Sequence, residues 1–225
     1  FMSDDSPIII VNLKAYKEGY GAEGYDLCKI MEEIALEYNV NLAAAVSAID
    51  LVDFSDNLDI PIFAQHVDGV TYGSHTGAIL PEAVRYSGAV GTLVNHAECQ
   101  MTWEEIEKTI NRCKELGLST VLCTADIEAS ERGAKLNPDM IAVEPPELIG
   151  GDISVSTAKP EIISNTVEVV KKISSDISVL CGAGVKNQND ISKAMSLGSE
   201  GILLASGVVK SSNPREVLLD LIKGL

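Results

Sequence analysis

Short runs of apolar residues alternate with amphipathic stretches along the whole chain of 225 residues. Each run is apolar at consecutive positions rather than at every second one, which is typical of parallel strands buried on both faces. The runs predict eight strands: Ile8–Leu13, Leu42–Val46, Ile60–Ala64, Ala89–Val94, Thr120–Cys123, Met140–Val143, Val179–Cys181 and Gly201–Leu204. The clearest amphipathic stretches predict helices: Gly24–Tyr38, Trp103–Leu116, Glu161–Ile173, Asp190–Leu197 and Arg215–Ile222.

The alternation of strands and helices predicts an α/β fold, namely a single-domain (β/α)8 barrel over residues 1–225. A doubly wound open sheet is the main competitor. No Gly-x-Gly-x-x-Gly follows the first strand, and polar residues follow most strands instead of gathering at one switch point, which favours the barrel. The chain is shorter than the roughly 250 residues typical of this barrel, so we expect short helices after strands 2, 3 and 5.

Composition narrows the class of protein. A net charge of −16 disfavours a nucleic-acid partner, which would require a basic face. No apolar run has the length of about 18 residues that a membrane span needs, and no signal-peptide pattern opens the chain. We therefore expect no membrane partner and a cytoplasmic location.

The five cysteines contain no Cys-x-x-Cys pair, which argues against a zinc site and against a disulfide framework. Cys123 and Cys181 lie in predicted strands, where a thiol acts as a small buried hydrophobe.

The most informative segment begins at Glu144, which directly follows the predicted strand Met140–Val143. Pro145 and Pro146 come next and restrict the backbone, whereas Gly150 and Gly151 free the far end of the loop. The pattern predicts a stiff-tipped flap above a fixed carboxylate, an arrangement that suits a general base shielded from water.

Further polar residues follow strands 1 and 4. Asn12 and Lys14 share one side of strand 1, so Lys14 is either a fixed cation at the barrel mouth or a surface lysine. His96 follows strand 4, where we expect a short helix to begin. A helix N-terminus disfavours imidazolium, so His96 is either a neutral hydrogen-bond donor to a substrate oxygen or a loop cap. Glu98 is positioned to pair with Lys14 across neighbouring strands.

The other two histidines are weaker candidates. His66 ends strand 3 with no acid beside it, which favours a hydrogen-bonded structural role. His75 lies in a glycine-rich loop and suits a loop or subunit-contact role better than a ligand role.

Small residues follow strands 7 and 8. Gly182 and Gly184 end strand 7, and Ala205, Ser206 and Gly207 end strand 8. Small side chains let backbone N–H groups approach an anion, and barrels of this kind usually hold phosphate in these two loops. Together with Lys14, they offer a local positive field on an acidic protein and predict a site for a phosphate monoester.

This set of strand-end motifs resembles the triosephosphate isomerase family, in particular its archaeal branch, and the resemblance covers essentially the whole chain. Each motif ends a different strand, in this order: Asn12-x-Lys14, Asn95-His96-x-Glu98, Val143-Glu144-Pro145, Gly182-x-Gly184 and Ala205-Ser206. The resemblance implies isomerisation of a small triose phosphate, without a metal or organic cofactor, in a homo-oligomer with the tetramer favoured over the dimer. Two departures stand out: Ala97 replaces a common serine, and Pro146-Glu147 replace a lid tryptophan.

The resemblance also implies a role for each residue. Glu144 matches the general base, and His96 matches the neutral electrophile that stabilises an enediolate. Lys14 and Asn12 match the substrate-binding pair. The remaining matches are a lid over residues 145–151, with Ile149 and Gly150 near the phosphate, and a phosphate cradle of Gly182, Gly184, Ala205 and Ser206.

Three alternatives stay open to test. A metal-dependent sugar-phosphate epimerase, another phosphate-binding barrel, would need converging His and Asp ligands, yet the chain has three histidines and no such set at its strand ends. A Schiff-base aldolase would need a lysine at an inner strand end, where strands 5 and 6 carry Thr124 and Glu144. A binding barrel without activity is the third alternative, and the presence of all the matched catalytic residues argues against it.

Overall fold

Eight parallel strands form one closed barrel in the computed structural model, which describes residues 6–225. The strands are β1 Ile8–Asn12, β2 Asn41–Val46, β3 Ile62–Ala64, β4 Gly91–Val94, β5 Ser119–Thr124, β6 Met140–Val143, β7 Ser178–Cys181 and β8 Gly201–Leu204. The helices are α1 Gly21–Tyr38, α2 Leu51–Asn57, α3 Pro81–Tyr86, α4 Trp103–Leu116, α5 Ile127–Ala134, α6 Val155–Ala158, α7 Pro160–Ile173, α8 Gln188–Ser196, α9 Ser206–Val209 and α10 Pro214–Ile222.

Closure of the sheet confirms the barrel and excludes the open sheet. Each strand pairs in parallel with the next one in sequence, and β8 pairs back with β1 so that Ile8 lies opposite Gly201. The helices after β2, β3 and β5 have 7, 6 and 8 residues, which confirms that they are short.

Element ends differ from the prediction in small ways that have local causes. The third strand begins at Ile62 rather than Ile60, because Pro61 has no N–H to donate to the ladder. The first helix begins at Gly21 rather than Gly24. Its Gly21 N–H donates to Asp50 Oδ2 at 3.1 Å, which satisfies one of the free donors at the helix start.

Two apolar layers lie on either side of the barrel wall. One layer fills the barrel interior: Ile8, Ile10, Ala43, Ala45, Phe63, Leu93, Val121, Cys123, Met140, Ala142, Leu180 and Leu203. The other packs between strands and helices. A side chain at Gly91 would lie 2.6 Å from the Phe63 ring, so the missing Cβ makes room for this large interior residue.

Alternation along the strands positions the polar residues at the mouth. Ile10 and Ala142 face the interior, and the next interior positions along the same strands are Asn12 and Glu144. Both side chains are therefore directed into the carboxyl-terminal end of the barrel, the end that carries the active site in barrels of this kind.

Candidate active site

A cavity opens at the carboxyl ends of the strands. Every residue that the sequence predicted for the site lines it: Asn12, Lys14, His96, Glu144, Ile149, Gly150, Gly182, Gly184, Ala205 and Ser206. The barrel brings these residues together although Asn12 and Ser206 are separated by almost the whole chain.

Glu144 is a buried carboxylate at the end of β6. It is 4% exposed, and its backbone N–H donates to the Thr124 carbonyl at 2.8 Å. Its Oε1 atom is buried without a hydrogen-bond partner among residues 6–225. A Cβ at Gly182 would lie 2.2 Å from Glu144 Cγ, so only glycine leaves space for this side chain. A desolvated carboxylate with a free oxygen can accept a proton from a bound substrate.

His96 faces the same cavity and is 5% exposed. The Glu98 backbone N–H donates to His96 Nδ1 at 3.1 Å, so Nδ1 is the accepting nitrogen. In the neutral ring the proton is then on Nε2, which lies 3.5 Å from Glu144 Oε2. His96 is therefore arranged to donate a hydrogen bond into the cavity beside the carboxylate.

The helix expected to begin at His96 is absent, and that prediction is wrong. His96 instead opens a turn in which the Cys99 N–H donates to the His96 carbonyl at 2.8 Å, and α4 begins only at Trp103. The backbone N–H of Glu98 faces His96 Nδ1 in this turn, in place of the expected helix N-terminus.

Lys14 is fixed at the mouth and is not a surface residue. Its side chain is 10% exposed, and its Nζ lies 2.7 Å from Glu98 Oε1. The predicted ion pair between Lys14 and Glu98 therefore forms. The expectation that it joins neighbouring strands is wrong, because β2 and β3 lie between β1 and β4. Lys14 has a φ of 50°, and its N–H donates to Asn12 Oδ1 at 3.0 Å, which holds this left-handed backbone.

Two contributors to the site were missed from the sequence, Asn95 and Lys186. Asn95, with a φ of 59°, donates to the Cys123 carbonyl at 3.1 Å and accepts the Met101 N–H at 2.8 Å, which braces the turn that carries His96. Lys186 lines the cavity as a second cation and pairs with Asp152. The sequence signal for Asn95 was its residue type and position: asparagine tolerates φ > 0 and often begins a turn after a strand.

Cys123 and Cys181 are buried strand residues, as predicted. Burial, reinforced by the charge of the nearby Glu144, raises the pKa of the Cys123 thiol well above its usual value. Burial likewise raises the pKa of Cys181 to about 12. Both thiols therefore remain protonated and pack as small apolar groups.

The loops after β7 and β8 form a wall of small residues. Gly184 has a φ of 69°, and a Cβ there would lie 2.1 Å from the Ile153 carbonyl oxygen. Glycine is thus required both by the backbone and by the close approach of Ile153, which follows the lid. Because Ala205 and Ser206 are also small, an anion can contact the backbone of both loops.

The predicted lid is a short structured segment. Pro146–Leu148 form a 3-10 turn, and the following Ile149 and Gly150 line the cavity. Glu147 forms an ion pair with Lys159 beyond the lid. The Val155 N–H donates to the Ala183 carbonyl at 3.1 Å, so the start of α6, just after the lid, is joined to the β7 loop.

His66 lies outside this cavity. The expectation that no acid accompanies it is wrong, because its Nε2 lies 2.9 Å from Asp68 Oδ1. The hydrogen-bonded role predicted for His66 is confirmed by the same contact. His75 is exposed in its loop, and its suggested subunit contact stays a prediction.

Within residues 6–225, no helix combines the length and apolarity needed to cross a membrane. The same part of the chain contains no cluster of three or more His, Cys, Asp or Glu side chains arranged for a metal ion.

A closed (β/α)8 barrel with a buried carboxylate, a buried histidine and two loops of small residues around one cavity at its carboxyl end has the architecture of a barrel enzyme. Comparison with known proteins specifies the family. The triosephosphate isomerase family model matches residues 7–225, and the chain belongs to the triosephosphate isomerase family.

Its relatives include archaeal enzymes named triosephosphate isomerase. The chain is 48% identical to that of Methanocaldococcus jannaschii, over 96% of this chain and 99% of the relative. It is 47% identical to that of Methanothermobacter thermautotrophicus, over 97% and 95% of the two chains. It is 45% identical to that of Archaeoglobus fulgidus, over 96% of each. The predicted resemblance to the archaeal branch is confirmed.

Proposed function

We propose that this protein interconverts dihydroxyacetone phosphate and D-glyceraldehyde 3-phosphate by proton transfer through an enediolate. The observation that carries the proposal is the pairing of Glu144 Oε2 with His96 Nε2 across 3.5 Å in a cavity lined by the small residues of the β7 and β8 loops. An acceptor and a donor at that separation reach adjacent atoms of one small substrate.

Glu144 acts as the base. Its carboxylate takes a proton from C1 of dihydroxyacetone phosphate and returns it to C2. The hydroxyl proton moves from O1 to O2 in the same conversion, which gives the aldehyde. Abstraction of a proton beside a carbonyl is unfavourable in water, so the acid must be desolvated and positioned. Burial of Glu144 and its unpartnered Oε1 support this role.

His96 and Lys14 stabilise the charge that develops on the substrate oxygens. His96 Nε2–H donates to the carbonyl oxygen, and the Lys14 ammonium supplies a fixed positive charge beside it. Donors that are already oriented cost no reorganisation during the reaction, which is why such groups stabilise an enediolate effectively. Asn12 supports Lys14 through the hydrogen bond to its backbone.

The phosphate is bound by the loops after β7 and β8. Gly182, Gly184, Ala205 and Ser206 let the backbone approach it, and Lys14 and Lys186 offset the net charge of −16. The lid closes over the phosphate through Ile149 and Gly150. Closure excludes water, which protects the enediolate from losing phosphate.

A coupled assay tests the proposal directly. Purified protein is supplied with D-glyceraldehyde 3-phosphate, and the dihydroxyacetone phosphate formed is reduced by an added NADH-dependent dehydrogenase and followed by absorbance. We expect rapid NADH oxidation that falls to background with Glu144→Gln. Absence of turnover in a folded wild-type sample would favour the inactive binding barrel.

The metal-dependent epimerase makes a different prediction about chelation. Isomerase turnover should be the same before and after treatment with EDTA, because the proposed roles need no metal and no organic cofactor. Loss of activity that a divalent metal restores would contradict the proposal and favour the epimerase chemistry.

We further propose that the chain works as a single-domain cytoplasmic enzyme and as a homo-oligomer, with the tetramer favoured and the dimer possible. Ile49, Tyr72 and Tyr86 are 92%, 75% and 92% exposed, which supports a self-association surface. The free thiols of all five cysteines suit a reducing compartment. Light scattering on purified protein measures the oligomer directly.

A further inference from the structure

The positive charges of the active-site cavity lie in two different places. Among its lining residues within 6–225, Lys14 and Lys186 carry positive charge and Glu144 carries negative charge. Lys14 lies beside His96, because its Nζ is 2.7 Å from Glu98 Oε1 and His96 Nδ1 is 3.6 Å from the other oxygen of the same carboxylate. Lys186 belongs to the loop after β7, among the small residues. It is therefore the cation at the part of the cavity where the phosphate is expected.

The Lys186 side chain spans the two loops of small residues. Its own N–H donates to Asp190 Oδ2 at 2.9 Å, and Val185 before it is buried, so the backbone that carries the side chain is fixed. A Cβ at Gly207 would lie 3.7 Å from Lys186 Cγ, which shows that the aliphatic stem lies beside Gly207 of the loop after β8. The ammonium is thus carried by one loop, while its stem lies against the other.

Asp152, which directly follows the lid, is the partner of this ammonium. Lys186 Nζ forms an ion pair with Asp152 Oδ1, and the Asp152 side chain is 93% exposed. Their hydrogen bond holds the pKa of Asp152 below its ordinary value, so the carboxylate is ionised at neutral pH. An ion pair this exposed adds little to folding stability. Because an ammonium has three N–H donors, Lys186 keeps donors for a second anion while Asp152 holds it.

We propose that Lys186 is a phosphate-binding residue of this site and that Asp152 moderates its charge. The inference rests on the proposed function, and it adds a side-chain cation to the backbone N–H groups of the two loops. The substrate phosphate accepts a charge-assisted hydrogen bond from the Lys186 ammonium. Asp152 competes with the phosphate for the same ammonium and repels it. The two partners of one ion pair therefore affect phosphate affinity with opposite signs.

The test uses the full-length protein and sn-glycerol 3-phosphate, a phosphate monoester without a carbonyl that cannot be isomerised. Calorimetric titration at low ionic strength, where charges are least screened, measures its dissociation constant. Lys186→Met should raise the dissociation constant about tenfold, since a hydrogen bond between charged groups is lost, whereas Lys186→Arg should retain most of the affinity. Asp152→Asn should lower the dissociation constant about twofold, because a competing exposed charge is removed.

Another exposed ion pair provides matched controls. Lys172 Nζ lies 2.6 Å from Glu168 Oε1 on α7, and neither residue lines the cavity. Lys172→Met and Glu168→Gln change the net charge by the same amounts as Lys186→Met and Asp152→Asn. Both control variants should retain the wild-type dissociation constant, which separates a local contact from the charge of the whole protein.

The outcomes that contradict the inference are specific. An unchanged dissociation constant in Lys186→Met, an equal loss of affinity in Lys172→Met, or no binding to the wild-type protein would overturn it. A loss of affinity in Asp152→Asn would also overturn it, because the pair would then act only as a structural tie. The titrations need no turnover. A protein that binds the probe through Lys186 but fails the coupled isomerase assay would contradict the proposed function alone.

Discussion

Two histidines that follow neighbouring strands present opposite hydrogen-bonding properties. His96, after β4, has its Nδ1 held by a backbone N–H, so its Nε2–H is directed towards Glu144 in the cavity at the barrel mouth. His66, after β3, has its Nε2 held by the Asp68 carboxylate, so its Nδ1 is an acceptor, and it lies 3.6 Å from Cys99 Sγ. The partner of one ring nitrogen thus makes the first histidine a donor and the second an acceptor.

The largest expected effect comes from the carboxylate that His96 faces. Glu144→Gln removes the base, and kcat should fall by up to about 10⁴-fold. Glu144→Asp keeps the carboxylate but withdraws it by one methylene, and kcat should fall by about 10²-fold. Steady-state kinetics of both variants provide the comparison.

The loss of kcat in Glu144→Gln should not be accompanied by a loss of folding stability. Glu144→Gln removes a buried charge that lacks a full set of partners, so the free energy of unfolding should be the same or higher. Near-normal turnover in Glu144→Gln would remove Glu144 from the base role.

The comparison of the two histidines is tested most sharply by matched substitutions. His96→Gln should lower kcat/KM by about 10² to 10³-fold, because a donor to the developing oxyanion is lost or displaced. His66→Gln should leave kcat/KM within about twofold, the ordinary result for a substitution away from the reacting atoms. Equal losses in the two variants would contradict the separation of their roles.

Lys14 offers a third, somewhat smaller effect. Lys14→Ala should lower kcat/KM by about 10²-fold, since a fixed charge beside the substrate oxygens is removed and Glu98 loses its partner. Lys108→Ala is the control, because Lys108 pairs with Glu104 on the exposed face of α4. Wild-type kinetics for Lys14→Ala would show that Lys14 is only a surface cation.

The smallest effect is on stability and depends on pH. The folded-state pKa of Asp68 lies below its ordinary value of 3.8, because the His66 and Ile79 hydrogen bonds outweigh burial. Ionised Asp68 therefore stabilises the fold above that pH, and the contribution disappears as pH falls through the folded pKa. Asp68→Asn should unfold at lower urea than wild type at neutral pH, and the two midpoints should converge in acid. A constant difference down to acid pH would exclude this linkage.

Most of the fold was readable from the sequence because buried parallel strands leave a continuous apolar signal. The strand order followed from the alternation of strands and helices, and alternation within a strand placed Asn12 and Glu144 inside the barrel. The site residues could be grouped for the same reason: all of them follow strands whose carboxyl ends meet at one mouth.

What the sequence could not supply was the geometry of the loops. His96 lies in a turn instead of the expected helix. Asn95 braces this turn through hydrogen bonds to Cys123, which is distant in sequence, and to Met101. Neither contact is visible in the local sequence pattern. Asp68 lies two residues after His66, yet whether they meet depends on a loop whose path is set by the Asp68–Ile79 hydrogen bonds.

The ion pair between Lys14 and Glu98 also shows what the sequence could not supply, here the positions of two strands around the barrel. Proximity was predicted correctly, but for strands taken as neighbours, whereas the contact spans the mouth past β2 and β3. Long side chains at a barrel mouth meet across the opening as readily as along the wall, and sequence order does not distinguish the two cases.

Proton transfer through an enediolate is the central claim, and isomerisation in D2O tests it most directly. Product formed from D-glyceraldehyde 3-phosphate is analysed by proton NMR for deuterium at the carbon that receives the proton. We predict that a measurable fraction of dihydroxyacetone phosphate carries deuterium at C1, because the proton on Glu144 exchanges with solvent before it is returned. Full turnover with no deuterium in the product would indicate direct hydride transfer and contradict the account.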